Sequence, residues 1–351
     1  MLRKIKKVLF YVSLIAFSVV YITATHYFIE RYQHEHELPV LWHSTLDFFY
    51  PDDTSCYRKD GDYLMSIEKK AVLPDSIFII ETTCQRNLGA REACTIEAIA
   101  RSHPDKFVYV LFTRPLTEKE CFRGPLGEAN KFLNVHFYRA NISTYALHTP
   151  LEEIFNGSLT SHGKRHHRRM AEYLKFLTLY HYGGLVVDLD MLVTAATDHL
   201  GSNWLVREDD GRIGSAVVSL SRDRVGRKVT PLVLSALKDQ DQAHSEEIDS
   251  GKALYQVLRS ICSTTSIDGM NESTCDGLKI YDSKLFYPVK RTNWQDYFSP
   301  GEPPSESLGY YLWSSESRRA PVGKDSMYAS LAKGYCPNVF RKYSRLLIKR
   351  F

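Results

Sequence analysis

The sequence predicts an α/β domain built on a mostly parallel sheet. Three observations lead there: short apolar runs of strand length, helical stretches between them, and a long amphipathic helix cut off by a glycine pair just before another apolar run. Residues 76–81 (Ser-Ile-Phe-Ile-Ile-Glu) have the look of a buried first strand. A helix is expected over 90–101, closed by the His103-Pro104 step, because the residue before a proline is pushed out of helical geometry. Residues 107–112 and 135–138 supply a second and a third strand. The best-defined helix spans 167–182, where Met170, Tyr173, Leu174, Leu177 and His181 share one face. Gly183-Gly184 ends it, since glycine tolerates the left-handed backbone of a helix C-terminus. Leu185-Val186-Val187 then reads as a strand leading into Asp188-Leu189-Asp190. Further on, a strand is expected near 214–220 and helices near 230–237 and 251–262, followed by an aromatic-rich, less regular C-terminal third.

The 351 residues, 44% hydrophobic, leave ample material for one large domain or two fused halves after the N-terminal segment. Net charge is only +4, and the cations gather at the N-terminus, over 164–169 and over 341–350. A nucleic-acid binder would show a continuous basic face interleaved with stacking aromatics, so that class is excluded. Arg3, Lys4, Lys6 and Lys7 precede an apolar run over 8–24. That run reads as a signal anchor with its basic flank in the cytoplasm; a cleaved signal peptide is the alternative. Either one sends the body of the chain into the secretory pathway. The expected organisation is a cytoplasmic tail (1–7), a transmembrane anchor (8–28), a stem (29–74), a catalytic domain (75–340) and a basic tail (341–351).

Sequons at Asn141, Asn156 and Asn271 agree with a lumenal body. Seven cysteines, Cys56, Cys84, Cys94, Cys121, Cys262, Cys275 and Cys336, follow no zinc-binding spacing. Disulfides are therefore the expectation; the odd count leaves at least one thiol over, and the pairing stays open.

Asp-x-Asp occurs three times, at Asp60-Gly-Asp62, Asp188-Leu-Asp190 and Asp239-Gln-Asp241, so context must choose among the copies. The first falls in the stem and the third in a charged stretch that reads as solvated surface. Only the second stands at the C-terminal end of a buried strand, where ligands of open α/β sheets bind. Residues two apart in a strand share a face, so Asp188 and Asp190 could converge on one Mg²⁺ or Mn²⁺ ion. Such an ion would neutralise the charge building on a departing diphosphate. The bland alternative is a helix cap or an ordinary turn.

The segment 175–190, Lys-Phe-Leu-Thr-Leu-Tyr-His-Tyr-Gly-Gly-Leu-Val-Val-Asp-Leu-Asp, resembles the core of the animal α-1,4-glycosyltransferases. That family includes lactosylceramide 4-α-galactosyltransferases and α-1,4-N-acetylglucosaminyltransferases. Residues 77–82, 94–104, 286–289, 294–298 and 335–337 are similar to further family blocks, in order, over about residues 76–340. The resemblance implies a GT-A type nucleotide-sugar-binding fold behind one transmembrane helix, and a Golgi type II membrane protein with a lumenal catalytic domain. It implies retaining transfer of Gal, GalNAc or GlcNAc from a UDP-sugar to a glycolipid or glycoprotein glycan in α-1,4 linkage, as in glycosphingolipid biosynthesis. Mn²⁺ or Mg²⁺ is the implied cofactor, held by Asp188 and Asp190, with Glu172 and Lys175 joining them on the donor. Assembly with itself or with other transferases is compatible with it.

The chain departs from the family pattern around that site. Glu172 and Lys175 stand where relatives carry Asp and Arg; Val186 replaces a tyrosine and Ser219 an asparagine; Ser250-Gly251-Lys252 replaces Asn-Gly-Pro. Tyr311-Leu312-Trp313-Ser314 replaces His-Val-Trp-Asn, and a tyrosine is a poor metal ligand at neutral pH. The runner-up reading is a catalytically impaired Golgi protein that binds UDP-sugars or partner transferases. Trp294, Tyr311 and Trp313 are candidates to stack on an acceptor sugar, although such aromatics more often build core. Glu247 and Asp249 are the available acids for a carboxylate nucleophile, with nothing to choose between them. The cations of 164–169 read as a solvated loop, or else as an anion site.

Overall fold

Runs rich in β-branched and aromatic residues bury both faces of a strand, and such runs build the sheet. In chain order the strands are β1 (Ile77–Glu81), β2 (Val108–Phe112), β3 (Val135–Arg139), β4 (Gly184–Val187), β5 (Met191–Val193), β6 (Trp204–Asp209), β7 (Arg212–Leu220), β8 (Lys279–Tyr281) and β9 (Gly309–Tyr311). The structure, a computed structural model, describes residues 62–83, 88–157, 164–243 and 247–347. A seven-stranded sheet runs in the order β3-β2-β1-β4-β7-β6-β8, and β5 pairs with β9 in a separate ribbon. Only β7 runs against its neighbours β4 and β6; every other pairing within the large sheet is parallel.

Six longer helices cover the sheet: α1 (Ala90–Ser102), α2 (Lys164–Tyr182), α3 (Arg224–Gln242), α4 (Ser250–Ile261), α5 (Met327–Tyr335) and α6 (Pro337–Leu347). Successive strand residues point to opposite faces. Accordingly Ile77, Ile79, Val108, Val110, Leu185 and Val187 join one core with residues of α1, α5 and α6. Phe78, Ile80, Tyr109, Leu111 and Val186 join the other with α2, α3 and α4. The result is three layers, helix on sheet on helix.

The α2–β4 junction depends on Gly183 (φ +66°) and Gly184 (φ +98°). A side chain at Gly184 would also collide with the Ser76 carbonyl, because β4 starts tight against the strand leading into β1. Helix α3 starts earlier than the periodicity of 230–237 indicates: Asp223 caps it by accepting from the N–H groups of Val225 (2.9 Å) and Gly226 (3.1 Å), and Pro231 is absorbed inside. The elements that sequence patterning did not supply are β5, β6, β8, β9, α5 and α6.

Residues at the end of the expected stem and the start of the expected tail pack on the domain. In the last stretch of the stem Ile67 is fully buried, Tyr63 N–H donates to Leu116 O (2.8 Å), and Met65 O accepts from Arg139 N–H (2.9 Å). Residues 341–347, expected as the start of the basic tail, continue α6; Arg341, Lys342 and Arg345 there are exposed, and Lys342 pairs with Glu128 (2.5 Å). No helix among the described residues is long and apolar enough to cross a membrane, and the expected anchor at 8–28 lies outside them.

Two disulfides form among the described residues, Cys94–Cys336 between α1 and the end of α5, and Cys262–Cys275. Cys121 is a buried free thiol whose pKa burial raises to about 11; Cys56 and Cys84 lie outside the described residues.

Candidate functional site

The chain proceeds from β1 outward through β2 to β3, then returns to lay β4 on the other side of β1. That reversal makes the C-terminal ends of β1 and β4 a topological switch point, the position where open α/β sheets bind ligands. Glu81 ends β1, and Asp188-Leu189-Asp190 follows β4 directly.

Asp188 and Asp190 do not lie in a strand, contrary to the period-two expectation; they occupy the turn between β4 and β5. Non-local bonds fix that turn. Asp188 N–H donates to Ala216 O (2.8 Å), Leu312 N–H to Asp190 O (2.9 Å), and the Thr95 hydroxyl to Leu189 O (2.8 Å). Pairing with β7, with the β9 region and with α1 therefore holds the two carboxylates in place.

Lys175, on α2, is 3% exposed, and its ammonium sits between Glu172 (3.0 Å) and Asp188 (3.3 Å). Burial alone would lower the lysine pKa, but the Asp188 and Glu172 carboxylates outweigh it and keep the ammonium charged. Burial pushes Asp188 up while Lys175 pulls it down, and the balance stays above the ordinary aspartate range. Glu172 Oε2 is buried and has no hydrogen-bond partner among the described residues.

Ser314 holds Asp190 through its hydroxyl and through its backbone N–H (3.2 Å). Burial raises the Asp190 pKa, against the Ser314 bonds and the Arg318 and Arg91 charges. Trp313, just before Ser314, adopts a left-handed backbone (φ +54°) that turns the chain toward the aspartate. Tyr311 pairs across the ribbon with Met191, and its ring lies 4.7 Å from Trp313 and 5.4 Å from Tyr287. Burial and the two aspartates drive the Tyr311 phenol far above its usual pKa, so it is a neutral hydrogen-bond donor beside them. Tyr287 reaches the same region over Gly214, where any side chain would collide with it, and its hydroxyl accepts from Ala216 N–H (3.1 Å).

Two carboxylates on one turn suit Mg²⁺ or Mn²⁺, which take hard oxygen ligands and leave positions for substrate phosphates. Among the described residues no group of three or more His, Cys, Asp or Glu is arranged to hold a metal alone. Asp188 and Asp190 are the residues that would hold such an ion; Glu172 stands beside Asp188 through their shared Lys175 ammonium.

Glu81 was missed by sequence reasoning. It is 3% exposed; one oxygen accepts from Thr83 N–H (2.7 Å) and from the Thr83 hydroxyl, and Oε2 has no partner among the described residues. Burial raises its pKa to about 7, against Thr83 and Arg114. Its one sequence signal was a charged residue closing an apolar strand. Glu92 on α1 is also raised by burial and feels the Asp190 charge.

Other sequence candidates have structural employment. Glu247 pairs with Arg168 at the surface (2.6 Å), and Asp249 caps α4 through Lys252 N–H (3.0 Å) while meeting Arg212 (3.4 Å). Trp294 packs against the core beside Phe298. Asn271 is exposed and Asn141 half-buried; the Asn156 side chain lies outside the described residues. Ser219 donates to Ser202 O (3.0 Å), and Val186 is core. A pocket of about 230 Å³ opens beside Trp313, lined also by the β6–β7 turn and residues 290–292.

Two family models match in sequence order. Residues 89–206 match the glycosyltransferase sugar-binding region containing the DXD motif, and residues 231–343 match the alpha 1,4-glycosyltransferase conserved region. The chain is 22% identical over 274 residues to lactosylceramide 4-alpha-galactosyltransferase of Homo sapiens, covering 75% of this chain and 76% of the relative. It is equally identical to that of Gorilla gorilla gorilla, covering 75% and 82%. The crystal structure of galactosyltransferase LgtC with donor and acceptor sugar analogs overlaps 60% of this chain and 74% of its own at 17% identity, with a TM-score of 0.35.

Proposed function

The chain is a divergent member of the α-1,4-glycosyltransferase family, a glycosyltransferase by kind, and from that premise we propose that it moves a hexose, Gal, GalNAc or GlcNAc, from a UDP-sugar to a glycolipid or glycoprotein glycan. The proposal extends to a GT-A type fold, α-1,4 linkage with retention, and a Golgi type II membrane setting with the catalytic domain in the lumen. The observation that supports it best is the Asp188-Leu189-Asp190 turn at the switch point between β1 and β4. Mn²⁺ or Mg²⁺, when bound there with the diphosphate, supplies Lewis-acid stabilisation of the leaving group. The residues of the chain do the rest. Asp188 and Asp190 present carboxylate oxygens, Ser314 fixes the Asp190 rotamer, and the Lys175 ammonium holds Asp188 and adds positive potential. The neutral Tyr311 phenol can donate to a phosphate or sugar oxygen.

The deciding experiment presents the full-length protein with a panel of UDP-sugars, with and without Mn²⁺. Turnover with one donor, lost on chelation and in Asp190→Ala, supports the assignment. A second reading, a non-catalytic UDP-sugar binder, is favoured by the buried phenol of Tyr311 where relatives carry histidine. It would show UDP binding without turnover of any donor.

A further inference from the structure

The segment that grips Asp190 is too short to hold its own shape. Ser314, which donates to the Asp190 carboxylate through its hydroxyl and its backbone N–H (3.2 Å), begins a four-residue helix, Ser314–Ser317. A single helical turn fixes several backbone angles for one hydrogen bond, so it persists only where neighbours pin it. Its upstream end is tied by Leu312 N–H to Asp190 O (2.9 Å) and by the Trp313 indole N–H to Val289 O (2.9 Å). Its middle carries the Arg291–Glu316 pair, whose arginine faces solvent, and such pairs contribute little.

The downstream end meets Arg91, in the first turn of α1. Arg91 Nη1 donates to Ser317 O and Nη2 to Ala320 O, both at 2.9 Å, across 226 and 229 positions of sequence. These carbonyls lie where the intrahelical donors run out, and one planar guanidinium fork serves both. The guanidinium is itself seated, 4.9 Å from the Phe298 ring centre and 5.4 Å from that of Tyr328. One turn further along the same face of α1, the Thr95 hydroxyl donates to Leu189 O (2.8 Å). Helix α1 thus braces Asp190 twice, through the residue before it in the chain and through the segment that carries Ser314.

We propose that Arg91 is a positioning residue for the metal–diphosphate site: by fixing Ser317 and Ala320 it keeps Ser314 on Asp190, and so holds that carboxylate oriented for a divalent ion. The inference rests on the donor reading above and adds to it the group that sets the aspartate in place. A purely electrostatic role would run the other way. The Arg91 cation favours the ionised Asp190 and competes with a bound ion, so its removal would by charge alone tighten Mn²⁺ binding.

The first measurement uses the full-length protein without metal or nucleotide. Hydrogen exchange at the Ser314 amide should quicken about tenfold or more in Arg91→Met, while Val110 and Leu111 in β2 stay within about twofold. Methionine keeps an apolar stem over the rings and removes both donors. The second measurement is Mn²⁺ affinity in the presence of UDP, read by electron paramagnetic resonance. Ser314→Ala should weaken it about tenfold, Arg91→Met about fivefold, and the double variant no more than about tenfold, because both changes release one arrangement. Should Arg91→Met fail to fold, Arg91→Lys, which keeps the charge without the fork, decides the matter with the same changes at about threefold. Unchanged Ser314 exchange in a folded Arg91 variant overturns the proposal while the donor reading stands. So does tighter Mn²⁺ binding, or losses that multiply to about fiftyfold in the double variant. A wild type that binds no Mn²⁺ with UDP overturns the donor reading, and the role of Arg91 with it.

Discussion

The Lys175 ammonium lies 3.3 Å from the Asp188 carboxylate and 3.0 Å from Glu172, almost wholly out of contact with water. One buried cation thus holds two carboxylates at the switch point and relieves their mutual repulsion. Lys175→Met should cost about 3–5 kcal/mol, because it leaves unpaired charge in a desolvated place, whereas Lys175→Arg should cost much less. Urea unfolding measures both. Mn²⁺ should raise the melting temperature of Lys175→Met more than that of the wild type, since a divalent ion can take over the missing positive charge. An equal shift in both proteins would separate the lysine from the metal-binding carboxylates.

Glu81 supplies a pH dependence. Its folded pKa of about 7 lies above the ordinary 4.5, so the native state retains a proton that the unfolded chain releases. The stability this confers is complete below pH 4.5 and is lost as pH rises through about 7. Over that window the wild type should lose up to about 3 kcal/mol from this group. Glu81→Gln keeps an oxygen for Thr83 and removes the titration, so its stability profile should be flatter and its stability at pH 8 higher. Parallel profiles for the two proteins would refute the assignment.

The two disulfides close loops of very different length, with sequence separations of 242 and 13 residues. On the chain-entropy account, removing Cys94–Cys336 by paired alanine substitution should cost up to about 5 kcal/mol, and removing Cys262–Cys275 about 3 kcal/mol. Peptide mapping under non-reducing conditions should recover both bridges and leave Cys121 unpaired with either.

Asn271 is the best-presented sequon. It is exposed, and its side chain lies in a short turn, accepting from the Ser273 hydroxyl (2.7 Å) and N–H (3.0 Å). Expressed in a secretory system, the protein should carry a glycan there, and Asn271→Gln should remove one step of mobility that deglycosylation also removes. A chain left unmodified at Asn271 would argue against lumenal passage.

Much of this architecture was legible before folding because its signals are local. The apolar runs that became β1, β2 and β4, the heptad-like face of α2, and the glycine pair after it each declare themselves within a few residues. They also marked the place of Asp188 and Asp190, because a parallel strand that follows a helix brings its C-terminal residues to the ligand-binding edge. Strands β6, β8 and β9 gave weaker local signals. They are strands because distant partners complete their hydrogen bonds, as Trp204 does with Ser219 and Lys279, and Tyr311 with Met191.

By itself, then, the chain determined an α/β sheet, a family resemblance and one pair of carboxylates. Tertiary structure alone decided that the pair stands on a turn rather than a strand, that Ser314 grips Asp190 across 124 positions, and that Glu81 is buried at the end of β1 with one carboxylate oxygen unpartnered among the described residues. The reason is physical: backbone periodicity is written in neighbouring residues. A site is written in contacts between segments far apart, which form only when burial of both sheet faces brings them together.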